Sequence, residues 1–388
     1  MASTPARNPL HDVAIVGVYD TPQAKKLTGW TEPALLVDAM RGALANAGLA
    51  PTDVDGVNAH SWVWRLSSRE GAHLLGKQPC WTGQEPGIGG VLEAAAAIAT
   101  GQCHTALVAS VQCGEYTDHS ATVSWTRPTN EFVECWGLYT AAEFALIAQR
   151  HMHLYGTPQE ALAEVAAAIR SNGALNPEAV MYGKEVSRET VLQSRMVASP
   201  FHLLDCCINS EGGAALVLTT AERARDLDAT PVFVLGGSTD RQGMSYVTAP
   251  VWDRYGTVGR RAARLCYAQS GLGPRDVDVL ELYDPFSFEV IRQLEAFDFC
   301  KEGEAADYVL DGQVRIDGAT PVATNGGLLS FSHAGLAQLL QKPIAAVKQL
   351  RGDVPDALRV PEAKVAMASN GGAGALFCDV MMLGTERP

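Results

Sequence analysis

Two stretches in the last third of the chain carry residue types that can do chemistry. One is Leu280-Glu281-Leu282-Tyr283-Asp284-Pro285-Phe286-Ser287-Phe288, and the other is Asn325-Gly326-Gly327-Leu328-Leu329-Ser330-Phe331-Ser332-His333-Ala334-Gly335. Each ends an apolar, extended run and breaks into polar residues just before a helical pattern, which is where open α/β sheets present reactive groups. Tyr283 leaves its strand beside Asp284, and His333 follows a Gly-Gly-Leu-Leu-Ser turn at the head of a helix pattern running over 334–350. Both side chains can donate, accept or relay a proton. The plainer reading, a hydrogen-bonded aromatic and a helix-start histidine, stands beside the catalytic one on pattern alone.

Other candidates are weaker. Gly87-Ile88-Gly89-Gly90 opens a helix pattern over 89–101, where backbone amides and the helix dipole favour anions. The dinucleotide fingerprint fails because position 92 is Leu, so a close approach of helix to strand is the favoured reading. What remains for Gly89 and Gly90 is an amide-lined helix start, able to serve as an oxyanion site, with Gly371 and Gly372 approaching from the second half. His151-Met152-His153 puts two rings on opposite sides of a helix, which suits core and surface histidines better than a metal. Asp205-Cys206-Cys207 reads as a tight turn before a buried strand.

The elements that must position these residues come in duplicate. Ala47-Gly48-Leu49-Ala50-Pro51-Thr52-Asp53-Val54-Asp55 returns as Ser270-Gly271-Leu272-Gly273-Pro274-Arg275-Asp276-Val277-Asp278. A strand opens each copy, at 13–18 and 231–236, and each closes with a helix, an apolar strand and a Gly-Gly signal before a last strand, at 212–218 and 371–377. Strand alternating with helix, twice over, predicts two α/β halves of βαβαβ type, 1–225 and 226–388, packed sheet to sheet through central helices. The first half is longer by an insertion over about 115–200, a loop region placed to cover a site.

Composition narrows the function classes. A chain of 388 residues, 47% hydrophobic with a formal net charge of −13, has the content of a folded globular protein and no basic face for nucleic acid or anionic membrane. No apolar run approaches the ~20 residues of a membrane span, which predicts a cytoplasmic protein. Nine cysteines without a Cys-x-x-Cys pair fit reduced, packed thiols, and no metal is expected on the chain.

The duplicated halves, together with Arg150-His151-Met152-His153-Leu154-Tyr155-Gly156-Thr157, Ser194-Arg195-Met196-Val197-Ala198-Ser199-Pro200, Asp205-Cys206-Cys207 and Asn325-Gly326-Gly327-Leu328-Leu329-Ser330, resemble the thiolase superfamily. The resemblance covers nearly the whole chain and is strongest to the sterol carrier protein X type thiolases and the lipid-transfer-protein aldolases. It implies a thiolase-like α/β fold. It also locates departures: the family's nucleophilic Cys falls at Gln84 or Glu85, its second Cys at Ser369, and its acidic-motif His or Asn at Tyr283, while the family's His is kept as His333.

Without those thiols, Claisen chemistry through an acyl-enzyme is disfavoured. The aldolases of this resemblance place Tyr at the position of Tyr283 and cut a β-hydroxyacyl-CoA, often of a steroid side chain, into a ketone or aldehyde and a short acyl-CoA. The expected activity is therefore a carbon–carbon lyase with coenzyme A as part of the substrate and no covalently bound cofactor. A thiolase-like acyltransferase with an atypical site and a non-catalytic acyl-CoA-binding scaffold are the alternatives. The resemblance further implies a small partner chain with a zinc ribbon and an oligonucleotide-binding-type fold, and a homodimer is expected from the paired halves. On ordinary side-chain pKa values, ~6.5 for histidine and ~10 for tyrosine, His333 is the better base and Tyr283 the better donor, and the resemblance leaves the reverse open.

Overall fold

The computed structural model describes residues 8–114, 140–243, 252–372 and 376–388. The first half contributes β1 (Val13–Asp20), α1 (Glu32–Asn46), β2 (Gly56–Ser61), α2 (Ser68–Leu74), β3 (Trp81–Thr82), α3 (Gly87–Ala99) and β4 (Thr105–Gln112). The described part of the insertion holds α4 (Thr140–Tyr155), α5 (Gln159–Leu175), α6 (Arg188–Gln193) and the short pair β5 (Met196–Ala198) and β6 (Phe201–His202), before β7 (Gly212–Thr220). Positions 115–139 of the insertion lie outside the described residues. The second half runs β8 (Val232–Arg241), α7 (Trp252–Tyr255), α8 (Arg260–Ser270), β9 (Val279–Glu281), α9 (Ser287–Ala296), α10 (Ala305–Leu310), α11 (Gln338–Arg351), β10 (Val365–Gly372) and β11 (Phe377–Gly384).

The described strands form a nine-stranded mixed sheet in the order β3-β2-β4-β7-β1-β8-β11-β10-β9. Read outward from its middle, β1-β7-β4-β2 is matched by β8-β11-β10-β9, so the duplication in sequence is a duplication in strand order. The halves share this sheet rather than forming two separate ones, because β1 and β8 pair antiparallel at Ala14 with Phe233 and Ile15 with Val232. Alternation along β4 explains how both faces are covered: Ala106 and Val108 point into a central layer, Leu107 and Ala109 into an outer one. In the central layer Ile88 and Val91 of α3 and Leu340 and Ile344 of α11 pack against strands of both halves. Helix α1 covers the outside of the first half, and α5, α8 and α9 cover that of the second.

The repeated phrase folds the same way twice, for the same reasons. Gly48 and Gly271 end the preceding helices at φ +68° and +72°, a region open to glycine at little cost. Asp53 then accepts from the Ala50 N–H and Asp276 from the Gly273 N–H, both at 2.8 Å. Asp55 accepts from the N–H groups of His104 and Thr105 at the head of β4, as Asp278 does from Lys364 and Val365 at the head of β10.

Two boundaries differ from the sequence reading. The pattern over 334–350 becomes helical only from Gln338, since Gly327–Phe331 coils as a π-turn and Gly335 turns the chain at φ +45°. Gly371 and Gly372 finish β10, and the last strand starts at Phe377, because their backbones continue the antiparallel ladder with Cys378 and Phe377.

Candidate active site

Parallel pairing of β9 with β10 stops at Glu281 opposite Ala368. Two residues on, Tyr283 is outside the ladder, and its backbone is satisfied by side chains instead. Its N–H donates to Ser369 Oγ at 3.0 Å and its carbonyl accepts from Gln293 Nε2 at 2.6 Å. The ring lies across the end of β10: a Cβ on Gly371 would stand 2.9 Å from Tyr283 Cδ1, and one on Gly372 would stand 3.9 Å from the phenol oxygen. Side chains are excluded at Gly371 so that the tyrosine can lie flat there. Tyr283 keeps 6% of its surface exposed.

Asp284, next in sequence, turns away from this surface. Its buried carboxylate accepts from the N–H groups of Leu328 (2.9 Å) and Leu329 (3.3 Å) and pairs with the buried Lys342 ammonium of α11. It thereby fixes the π-turn that leads to His333. Glu281 holds the start of the same segment through the Thr324 N–H at 3.0 Å and the Thr324 hydroxyl at 2.5 Å, and burial pushes its carboxyl up to about 7. From behind, the inserted helix α5 supports the turn, with Asn176 Nδ2 donating to the Asn325 carbonyl at 2.9 Å.

His333 itself sits in an extended link five residues before the helix, not at its head. Its N–H donates to Ser210 Oγ at 2.8 Å, and Ser210 meets Ser332 Oγ at 2.9 Å. The ring hydrogen-bonds the Ile208 backbone, and burial draws its pKa down from the ordinary histidine value to about 4. A ring N–H given to a backbone carbonyl selects the tautomer whose second nitrogen carries a lone pair. The imidazole is thus held neutral and in base form.

One short segment laces the two motifs together. Cys206 bridges to Phe286, the Cys207 N–H donates to the Pro285 carbonyl at 2.8 Å, the Ile208 N–H donates to the Leu328 carbonyl at 3.1 Å, and Ser210 holds His333. The turn expected at Asp205-Cys206-Cys207 is there, with Asp205 accepting from Ser287 Oγ at 2.7 Å and the His202 N–H at 2.9 Å. Its sequence signal is that of a local turn, whereas its work is to join distant segments.

The start of α3 corrects one expectation. Gly89 and Gly90 do open the helix, but their amides are not left for a thioester oxygen. The Gly89 N–H is directed at the buried Asp379 carboxylate, and the Gly90 N–H reaches the Pro86 carbonyl at 3.3 Å. With its nitrogen turned to Asp379 (3.0 Å), the Asn370 amide accepts from the Ile88 N–H at 2.8 Å. Side chains of β10 and β11 therefore meet the amides that pattern alone assigned to a ligand. Glu93 likewise accepts from the Gln84 and Glu85 N–H groups at 2.9 and 3.1 Å.

The remaining candidates resolve as packing. His151 is buried between Glu295 (3.1 Å) and Thr157 (2.9 Å), while His153 is exposed. Among the described residues, no three His, Cys, Asp or Glu side chains gather as a metal site, and no helix is long and apolar enough to cross a membrane. Burial pushes the Cys103, Cys113 and Cys207 thiols up to about 12, so they are poor thiolates at neutral pH. Gln293 and Lys342 escaped the sequence reading, and Ser369 entered it only as the place of the family's second Cys, because each matters through partners that the fold brings in.

Comparison with known proteins identifies the family. Residues 246–385 match the family described as Thiolase C-terminal domain-like. The chain is 35% identical to the 17-hydroxy-3-oxo-4-pregnene-20-carboxyl-CoA lyase of Mycobacterium tuberculosis, with 87% of this chain and 91% of the relative aligned. It is 34% identical to the steroid side-chain-cleaving aldolase of Thermomonospora curvata, over 89% and 93%. Among solved structures, the Ltp2-ChsH2(DUF35) aldolase superposes with a TM-score of 0.85 at 29% identity, covering 96% of this chain and 98% of that one. The chain belongs to the thiolase superfamily, on the branch that joins the sterol carrier protein X type thiolases to the lipid-transfer-protein aldolases.

Proposed function

We propose that this protein is a lyase that cleaves the Cα–Cβ bond of a β-hydroxyacyl-CoA by retro-aldol reaction, releasing a ketone or aldehyde and a shorter acyl-CoA. The relatives named for steroid side-chain cleavage support a steroid or similarly bulky acyl group. The observation that carries the reading is the placement of Tyr283 and His333 on segments tied to one another by Asp284 and by residues 206–210.

In this reading His333 takes the β-hydroxyl proton through the nitrogen that does not face Ile208. The O–H electron pair becomes the new carbonyl, and the Cα–Cβ pair moves onto the thioester as an enolate. The Tyr283 phenol donates a hydrogen bond to the enolate oxygen above Gly371 and Gly372, and the proton held on His333 is delivered to Cα, which completes the acyl-CoA and restores the base. Coenzyme A enters as part of the substrate. The partner chain belongs to the same proposal: the solved aldolase is described with a second component, ChsH2(DUF35), and a homodimer is expected beside it.

The test is to incubate the protein with a β-hydroxyacyl-CoA carrying a tertiary carbinol, without added free coenzyme A, and to follow release of ketone. Tyr283→Phe should lower kcat by ~10² to 10⁴ while keeping the melting transition. Acyl label retained on the denatured protein would favour an acyltransferase instead, and wild-type cleavage unaltered in Tyr283→Phe would remove the tyrosine from the mechanism.

A further inference from the structure

Where β9 leaves the sheet, three groups close a ring of hydrogen bonds. The Tyr283 N–H donates to Ser369 Oγ at 3.0 Å, the Ser369 hydroxyl donates to Gln293 Oε1 at 2.6 Å, and Gln293 Nε2 returns to the Tyr283 carbonyl at 2.6 Å. Ser369 and Gln293 are fully buried. A second bond, from Gln293 Nε2 to the Glu289 carbonyl at 2.9 Å, ties the amide to its own helix and leaves it one orientation.

The ring answers a physical problem. Ladder bonding ends at Glu281, so the Tyr283 peptide would be a buried, unpaired donor and acceptor unless side chains replaced the lost strand partners. Those replacements also set the direction of the side chain, because a peptide pinned at both its N–H and its C=O fixes the path on which the Cα–Cβ bond leaves the backbone. The tyrosine ring then occupies the space that a side chain at position 371 would need, since a Cβ there would stand 2.9 Å from Tyr283 Cδ1. The Ser369 hydroxyl gives its one proton to Gln293 and accepts from Tyr283, so its donor is committed inside the protein.

We infer that Ser369 and Gln293 are positioning residues for the Tyr283 phenol, and that Ser369 takes no part in bond-making. The inference rests on the retro-aldol reading of Tyr283. Its effect is on turnover, since an ångström of displacement of a catalytic group costs on the order of 10²-fold in rate.

The experiment compares wild type, Ser369→Ala and Gln293→Leu, each also combined with Tyr283→Phe, in the ketone-release assay. The expected result is a fall in kcat of roughly 10- to 100-fold for each single variant with KM within about twofold. In the Tyr283→Phe background neither substitution should lower kcat further, since residues that act through the phenol have nothing left to position. Ser369→Thr retains the hydroxyl and should keep kcat close to wild type if the ring of bonds is what matters. Gln293→Leu removes a larger buried network, so Ser369→Ala, which deletes a single oxygen, decides the case if the leucine variant fails to fold. Unchanged kcat in Ser369→Ala, or losses that persist in the Tyr283→Phe background, overturn the inference while the retro-aldol reading stands. Absence of ketone release by wild type overturns both.

Discussion

Burial of His333 should leave a signature in both stability and rate. The ring is drawn down from about 6.5 in an unfolded chain to about 4 in the native protein, because burial strips the imidazolium of its water and the hydrogen bond to the Ile208 backbone offsets only part of that cost. Between those two pH values the unfolded state binds a proton that the folded state refuses. Stability therefore falls as pH falls through this window, by roughly 2.5 units at about 1.36 kcal/mol each, or about 3 kcal/mol, and the contribution is flat above pH ~6.5. Glu143 and Glu281, both pushed up to about 7 by burial, act with the opposite sign: their native states retain protons, and that stability is lost as pH rises from the ordinary carboxyl range through about 7. A wild-type curve alone mixes the two. The difference between wild type and His333→Gln cancels the glutamates and isolates the ring. Urea unfolding of both proteins from pH 7 to pH 4 should show the wild-type advantage shrinking by about 3 kcal/mol toward acid. In the same window kcat/KM of wild type should hold up to an acid limb near 4, since the base form is populated throughout. A pH-independent stability difference, or an acid limb near 6.5, would falsify the buried, neutral imidazole.

Three further substitutions probe the supports of the site. Lys342→Met leaves the buried Asp284 carboxylate without its counter-ion and should cost about 3–5 kcal/mol in denaturant unfolding, and adding Asp284→Asn should recover part of that loss. Gly371→Ala forces a methyl within 2.9 Å of both Tyr283 Cδ1 and the Phe377 carbonyl oxygen, and should lower kcat together with about 1–3 kcal/mol of stability. Gly372→Ala has its nearest neighbour at 3.1 Å, on the Phe377 ring, and should be milder in both measurements.

What was legible in the chain follows from where each feature gets its hydrogen bonds. The duplicated phrase could be read because its chemistry is local or nearly so: a helix-ending glycine, a proline turn and an aspartate that caps it recur at the same spacing in both copies. Strand positions were legible because both sheet faces are covered, which leaves strands such as 105–112 buried along their length with an unbroken apolar stretch, here 106–109. Tyr283 could be picked out because it breaks such a run, and His333 because it follows the Gly-Gly-Leu-Leu-Ser turn. The start of α11 could not be placed, because the extended stretch before it is held by the Ser210 hydroxyl, which is contributed from another part of the chain.

The same distinction decides how the site must be understood. Lys342 stands in Gln341-Lys342-Pro343, a context that reads as solvent-facing helix, yet it is buried against an aspartate 58 residues earlier. Gly89 announces an anion site by its position at a helix start, and the anion supplied is Asp379, brought in by β11 through the strand order. Ser369 is an ordinary strand serine until β9 splays away and needs its hydroxyl. In each case the residue type states what a group can do, while the sheet order decides to which neighbour it does it. Function in this fold therefore moves when a strand end splays or a turn is pinned differently, even where the reacting side chains are unchanged, which is why Ser369 and Gln293 are sharper tests of the mechanism than a second substitution at Tyr283.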